Sequence, residues 1–369
     1  MSEILARIRV REIHGIRRFL YPLKVVIELP EGTNTDSLGW SATLDNTVPL
    51  QVTPIGGTQH RLDFALPLAP FEEREFALVA DGVSIAVNDP LVLTQIDAGG
   101  LRSHQERFKA LLTPQGDIGE VIYDEVSHLV QPSSTGWPNY HIHILYQGHE
   151  ILEEVKTTTG GGGLSAWTLA KGDYRTGSQA ETLTELTACK SWVTQTHTVQ
   201  QTDSSDLFQF ALQLNPTASP LLCDFGVGGG IYGKLQPGPG GSLALTFEFT
   251  EGGATKWHLA ATDEQGRRPQ VNYRGVVGAE LESQLWFHVL DADKSLAVAI
   301  TKVPQSCREL AIHLSPDGRV SMTYELEDST GPAEFRICYH FLNDVPAIAA
   351  ATNPQSILLP PIVEVLPAA

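Results

Sequence analysis

Charged residues are scarce in this sequence, at 18% of 369 positions, and methionine occurs only twice. Such low charge is atypical of helix-rich enzymes, whose helices expose a polar face. No apolar run reaches the roughly 20 residues that a transmembrane helix needs. The N-terminus also lacks the apolar core of a secretory signal. These features predict a cytoplasmic protein, or a secreted one if a signal precedes the given sequence.

Basic residues are outnumbered, with 25 Lys and Arg against 43 Asp and Glu, for a formal net charge of −18. Nucleic acids and anionic membrane surfaces bind proteins through basic surfaces, so neither is an expected partner. The exception is the first twenty residues, where five arginines predict a basic outward face of a first strand. They are Arg7, Arg9, Arg11, Arg17 and Arg18. A polyanionic partner would therefore need a local basic site.

Cysteine is also rare, and no two cysteines stand at metal-ligand spacing. Each lies in or beside an apolar segment, which predicts buried free thiols in a reducing compartment. The four are Cys189, Cys223, Cys307 and Cys338.

Alternation with period two is the dominant pattern, and 33 glycines and 23 prolines supply turns between the segments. GSLALTFEF, RVSMTYELE and FRICYHFL are examples. We predict an all-β protein with a small β-barrel or sandwich-like domain at 1–90 and a large antiparallel β-sandwich at 91–369. The exceptions are a short helix at HQERFKALL (104–112) and a flexible loop at TTTGGGG (157–163). The proline-rich segment SILLPPIVEVLPAA predicts an edge strand or a tail.

The order of segments resembles a known class. A small β unit ending in LAPFEERE precedes SIAVND and DAGGL, then KSWVTQTHTV, and finally LWFHVLDADKSLAVAITKV with SPDGRVSMTYEL. This order is similar to the β-supersandwich, galactose-mutarotase-like domains of polysaccharide lyases and glycoside hydrolases. The resemblance implies a carbohydrate-active protein without indicating one family.

The segment NYHIHILYQGHE holds the first candidate site. In a strand, His141 and His143 share one face and stand about 7 Å apart, while Ile142 and Ile144 form the better core face. The pair predicts an acid/base or sugar-contacting role, a metal site, or a plain exposed sheet face. Three neighbours favour a sugar contact, because an aromatic face beside polar donors suits a sugar ring. They are Trp137, Asn139 and Tyr140.

A glycine-rich corner, CDFGVGGGIYGKL, holds the second candidate site. Tyr232 and Lys234 follow a bend that only glycine readily permits. Tyrosine, lysine and histidine can remove the proton α to a uronate carboxylate, and a cation such as Arg274 can neutralise that carboxylate. The alternative is a structural corner with ordinary surface side chains.

We therefore predict a polysaccharide or oligosaccharide lyase that acts by β-elimination on an acidic or modified saccharide. Its acid/base groups would be His141, His143 or Tyr232, and Lys234 or Arg274 would hold the anion. One alternative is a non-catalytic carbohydrate-binding or assembly module. Another is a metalloenzyme with His141, His143 and His149 as ligands of a divalent metal. Otherwise no cofactor is expected, and the broad sheet surface is compatible with a homo-oligomer.

Overall fold

The structure is a computed structural model, and it describes most of the chain in separate ranges. These are residues 3–44, 48–96, 99–114, 116–129, 143–144, 154–173, 179–188, 190–200, 207–215, 222–227, 230–235, 242–249, 255–262, 273–277, 285–291, 294–327, 331–343 and 356–367. Within these ranges no helix has the length and hydropathy that a membrane crossing requires.

Strands dominate the described residues, as the period-two pattern predicts. Before residue 130 they are β1 (Ile4–Arg11), β2 (Arg18–Glu28), β3 (Leu38–Trp40), β4 (Leu50–Gly56), β5 (Gln59–Leu68), β6 (Glu73–Ala80), β7 (Val92–Gln95), β8 (Leu101–His104), β9 (Phe108–Leu112), β10 (Ile118–Tyr123) and β11 (Val126–Ser127). A 3₁₀ turn, Thr35–Ser37, precedes β3.

The later strands are longer on average. They are β12 (His143–Ile144), β13 (Glu154–Gly161), β14 (Ser165–Asp173), β15 (Gln179–Thr187), β16 (Trp192–Gln200), β17 (Leu207–Gln213), β18 (Leu222–Val227), β19 (Gly230–Leu235), β20 (Ser242–Phe249), β21 (Thr255–Thr262), β22 (Tyr273–Val277), β23 (Leu285–Leu290), β24 (Lys294–Lys302), β25 (Cys307–Leu314), β26 (Arg319–Leu326), β27 (Ala333–Asn343) and β28 (Ile362–Leu366). A helical turn at 356–358 lies before β28.

The strands form five sheets, and their named pairs are antiparallel. A four-stranded sheet has the order β28-β1-β6-β3, and a three-stranded sheet has the order β2-β5-β4. A five-stranded sheet runs β11-β10-β9-β8-β7. The two large sheets run β12-β17-β26-β25-β20-β21-β22 and β13-β14-β15-β16-β27-β24-β23-β18-β19. The predicted all-β fold and its antiparallel sandwich are confirmed.

The two large sheets enclose one core with an aromatic layer. Phe335 of β27 lies 5.3 Å from Phe210 of β17 and 4.6 Å from Tyr324 of β26, measured between ring centroids. His197 of β16 stacks on Phe210 at 4.3 Å. Alternation explains this layer, because every second residue of each strand points toward the opposing sheet.

A second core packs the N-terminal sheets against the outer face of the nine-stranded sheet. Trp40, Phe64 and Phe76 form its centre, with ring centroids 5.1–5.9 Å apart. Trp192 and Trp286 from the large sheet join this core. The predicted domain division at residue 90 stays a prediction.

The chain ends on an edge strand, as its prolines indicate. β28 pairs with β1, so residues near the C-terminus extend the first sheet. Pro360 and Pro361 precede β28 and donate no hydrogen bond to the sheet.

Two local predictions are wrong. HQERFKALL does not form a helix: β8 ends at His104 and β9 runs from Phe108 to Leu112, with Phe108, Ala110 and Leu112 buried. TTTGGGG is not simply a loop either, because β13 continues to Gly161 and pairs with β14.

Three of the five N-terminal arginines form the predicted outward face of β1, because Arg7, Arg9 and Arg11 alternate with buried apolar residues. Arg9 lies 3.3 Å from Glu73, and Arg11 lies 2.8 Å from Glu364, so β1 pairs its charges with the neighbouring strands. Arg17 is exposed in the connection to β2, whereas Arg18 is buried against Glu12. The predicted basic surface is therefore largely neutralised.

Candidate functional site

A groove lies where the N-terminal sheets meet the nine-stranded sheet. Its volume is about 430 Å³, and the segment 357–363 forms one side. We call it the junction groove and define it by Tyr21, Lys24, Glu185, Trp192, Lys302 and Arg336.

Aromatic rings form the base of the junction groove. Trp192 is 9% exposed, and its ring meets Tyr21 edge-on at 5.7 Å. Behind it, His340 lies 5.5 Å away and the Lys190 ammonium 5.0 Å from the indole centroid. Trp192 pairs with His340 across β16 and β27, so the position of this ring is fixed by sheet register.

Cations surround this base. Of the described charged residues that line the groove, Lys24, Lys302 and Arg336 are basic and Glu185 alone is acidic. Glu334 lies 2.8 Å from Lys302 and 3.7 Å from Arg336, so it offsets part of the excess of positive charge at the groove. The side chains of Lys302 and Arg336 are 50% and 52% exposed, so both remain accessible to a ligand. The groove is thus a local basic site in a strongly acidic chain.

A buried ion cluster supports the groove from the N-terminal side. Arg61 lies 2.8 Å from Asp63 and 3.2 Å from Glu185, and Lys24 lies 2.7 Å from Glu185. Burial raises the pKa of Glu185, but Lys24 and Arg61 outweigh burial and hold that pKa below its usual range. Burial dominates at Asp63, whose pKa is raised despite Arg61. Arg61 also donates to the Ser165 hydroxyl of β14 at 3.3 Å, so the cluster joins both parts of the protein.

The sequence-predicted residues lie elsewhere, and their side chains fall outside the described residues. His143 lies in β12, at one edge of the seven-stranded sheet, and its backbone pairs with Gln209. Arg274 lies in β22, at the other edge. Six strand spacings separate these edges, roughly 29 Å. His143 and Arg274 therefore belong to different regions of the sandwich.

Tyr232 and Lys234 lie in β19, the last strand of the nine-stranded sheet. The ring contacts place β17 opposite β16 and β27, and β26 opposite β27, so strand order runs the same way in both sheets. This order indicates that β19 and β22, with Arg274, lie toward the same edge of the sandwich.

The remaining predicted residues lie outside the described ranges. They are Trp137, Asn139, Tyr140, His141 and His149. The metal alternative depends on three of the histidines of this segment and so stays a prediction. In the part of the chain that is described, no three His, Cys, Asp or Glu side chains group together as metal ligands. Cys307 and Cys338 are free and buried as predicted, and burial raises the pKa of Cys338 to about 12.

Two solved structures share this architecture. The chain superposes on a protein of glycosyl hydrolase family 38 from Enterococcus faecalis with a TM-score of 0.56 and 9% identity, covering 99% of this chain and 48% of that one. An α-mannosidase from Enterococcus faecalis V583 gives a TM-score of 0.54 and 10% identity, with 99% and 46% covered. No protein-family model matches the sequence, and no curated protein matches it.

The likeness concerns the fold. The chain spans about half the length of both matched proteins. The resemblance to β-sandwich domains of carbohydrate-active enzymes is thereby confirmed as a resemblance of architecture, without a specific family.

Sequence reasoning missed the junction groove because its parts are distant in the chain. Trp192 is buried, yet its ring also forms the base of the groove. The available signal was an isolated cation at an outward position of an otherwise apolar strand. Arg336 in FRICYHFL and Lys302 in SLAVAITKV both fit that description.

Proposed function

We propose that this chain is a carbohydrate-binding part of a carbohydrate-active protein, and that the junction groove holds an acidic saccharide. One observation carries the proposal: three cations surround an aromatic base in a chain whose net charge is −18. Carboxylate or sulfate groups of a saccharide would meet Lys24, Lys302 and Arg336, while a ring face would lie over the base formed by Tyr21 and Trp192. The architecture shared with two glycoside-hydrolase structures supports the carbohydrate class.

Calorimetric titration with oligogalacturonate, a heparin-derived oligosaccharide and neutral maltohexaose would test this function. We expect an acidic probe to bind at the junction groove, through Lys302 and Arg336, and maltohexaose not to compete with it there. The double variant Lys302→Ala/Arg336→Ala should bind about tenfold more weakly, or about 1.4 kcal/mol, since each exposed charge contributes up to roughly 1 kcal/mol.

A charge-matched control separates the groove from general electrostatics. Arg102→Ala/Arg308→Ala also removes two exposed cations, with side chains 55% and 59% exposed, but neither residue lines the groove. Equal weakening by the two double variants would contradict the assignment of the site. Absence of binding to both acidic probes would contradict the function.

We also propose β-elimination as a second candidate, in which Tyr232 acts as acid/base and Lys234 and Arg274 hold the uronate carboxylate. The observation that favours it is strand order, because β19 and β22 lie toward one edge of the sandwich. His141 and His143 form the alternative acid/base set, with Trp137, Asn139 and Tyr140 as sugar contacts.

Incubation with acidic oligosaccharides should then produce the ultraviolet absorbance of an unsaturated uronate. Tyr232→Phe is expected to slow this reaction by about 10²–10⁴-fold, the typical contribution of general acid–base catalysis. Tyr324→Phe is the matched control, because Tyr324 is fully buried in the core. Loss of activity only in His141→Gln or His143→Gln would assign the chemistry to the other set, and no absorbance with any uronate would exclude β-elimination.

A further inference from the structure

A second cavity lies next to the junction groove. Trp192 lines the groove and His340 lines the second cavity. The ring centroids of these two residues are 5.5 Å apart. This cavity measures about 220 Å³, below the roughly 300 Å³ at which pockets for drug-sized ligands begin. It forms where the bend between β8 and β9 meets the ends of β16 and β27. We call it the bend cavity and define it by Asp89, Gln105, Arg107, Tyr123, Ser191 and His340.

Two residues that line the bend cavity each hold a buried polar atom without a hydrogen-bond partner. Gln105 is 2% exposed, and its Nε2 donates to the Asp89 carbonyl at 3.2 Å, which leaves Oε1 unpaired. His340 is 9% exposed, and its Nδ1 makes no hydrogen bond. Unpaired buried polar atoms are costly, so a hydrogen-bond partner supplied to either atom would be stabilising. Both residues line the same cavity, so a single ligand could supply that partner.

The neighbourhood of these two atoms is close to neutral. Burial lowers the pKa of His340 to about 3, so the imidazole is uncharged near neutral pH. At the mouth, Arg107 is paired with Asp124 and lies over the Tyr123 ring at 5.3 Å. The Lys190 ammonium donates to the Phe19 carbonyl at 2.7 Å. These cations are engaged and the Asp89 carboxylate lies beside them, so the cavity does not favour a free anion.

Asp89 fixes the bend between β8 and β9 at the mouth of the cavity. Asp89 has φ +58°, in the left-handed region that residues other than glycine seldom occupy. Its carboxylate accepts from the Glu106 backbone at 2.7 Å, while its carbonyl accepts from Gln105. The Asp89 segment therefore holds the bend and fixes the direction of the Gln105 carboxamide.

We propose that the bend cavity binds a neutral, hydroxyl-rich ligand of one sugar ring or polyol. Hydroxyl groups can donate to Gln105 Oε1 and exchange a hydrogen bond with His340 Nδ1, and they can also accept from the Ser191 hydroxyl. Phe108 and Tyr123, with ring centroids 6.4 Å apart, offer an apolar wall for the C–H face. This site is separate from the junction groove and does not depend on an acidic saccharide binding there.

Saturation-transfer NMR and calorimetry on the full chain would test the site. The probes are methyl α-D-glucopyranoside, methyl α-D-mannopyranoside and myo-inositol. We expect at least one to bind, and Gln105→Met and His340→Phe each to weaken that binding at least tenfold. His340→Phe keeps a ring against Trp192 and removes the unpaired nitrogen, so its Tm should not fall; this readout separates lost binding from misfolding.

The groove variant Lys302→Ala/Arg336→Ala serves as the control and should bind the neutral probe as tightly as the wild type. No transfer from any of the three probes would overturn the proposal, as would unchanged binding in both Gln105→Met and His340→Phe. Either result would leave binding of acidic oligosaccharides at the groove unaffected, so the two sites can fail separately.

Discussion

Replacing Arg61 with leucine is expected to lower the free energy of unfolding by about 3–5 kcal/mol, the usual cost of breaking a buried ion pair from one side. Arg61 is 14% exposed and contacts two carboxylates that are also largely buried, Asp63 at 3% and Glu185 at 12%. Without the guanidinium, Asp63 keeps no cation in hydrogen-bonding contact, and Glu185 keeps only Lys24. Urea denaturation at pH 7 would measure this loss.

The cost of Arg61→Leu should depend on pH. In the wild type, the lowered pKa of Glu185 contributes stability that is present at neutral pH and lost as pH falls through that pKa. The raised pKa of Asp63 works in the opposite direction, because its burial disfavours the charged form at neutral pH. Removing Arg61 moves both pKa values upward. The deficit of the variant should therefore shrink as the pH falls from 7 toward about 5, since protonation relieves the unpaired carboxylates.

A second substitution separates the lost attraction between Arg61 and Asp63 from the cost of leaving the Asp63 carboxylate buried without a partner. Arg61→Leu/Asp63→Leu should recover part of the stability lost in Arg61→Leu, because no unpaired Asp63 carboxylate remains buried. Arg308→Leu is the matched control: its pair with Glu327 is over half exposed on both sides and should cost less than about 1 kcal/mol. If Arg61→Leu and Arg308→Leu lose a similar free energy of unfolding, the ion cluster contributes no more than an exposed surface pair does.

The strands were predictable because most of them bury only one face. In β20, Leu243, Leu245 and Phe247 are buried on alternate positions, and the sequence shows that alternation directly. The bend at 105–107 was not predictable in the same way. Gln, Glu, Arg, Lys, Ala and Leu are strong helix formers, and they masked the period-two burial of Phe108, Ala110 and Leu112.

The candidate site was less predictable than the fold. β27 buries both faces at Cys338–Phe341, because its outer face packs on the N-terminal core instead of solvent. The sequence of β27 therefore does not indicate that His340, beside Trp192 of β16, lies between the junction groove and the bend cavity. The Arg61–Glu185 contact joins positions 124 residues apart, and no local pattern specifies such a pair. His141 and His143, in contrast, could be predicted as a site because they are two residues apart in the sequence.

The charge pair at the start of β2 is expected to be equally important for stability. Glu12→Gln should lower the free energy of unfolding by about 3–5 kcal/mol, because it leaves Arg18 without an anion where both side chains are 0% exposed. Glu12 also accepts from the His14 backbone at 2.7 Å and the Ile16 backbone at 3.3 Å. Burial raises the pKa of Glu12, but Arg18 and these amides lower it overall. The wild-type advantage should therefore diminish as acid protonates Glu12.

Arg18 links this pair to the junction groove. It donates to the carbonyls of Ser356 and Leu359, and the segment between them supplies Ile357 and Leu358 to the groove wall. Glu12→Gln should therefore also speed hydrogen exchange at 356–359 and weaken acidic-saccharide binding. Glu364→Gln is the control, since its pair with Arg11 is 36–37% exposed and should cost less than about 1 kcal/mol. If both variants lose the same free energy of unfolding and hydrogen exchange at 356–359 is unchanged, Arg18 does not hold the groove wall. If Glu12→Gln alone speeds exchange in that segment, the buried pair couples the folding of the N-terminal sheets to the shape of the junction groove.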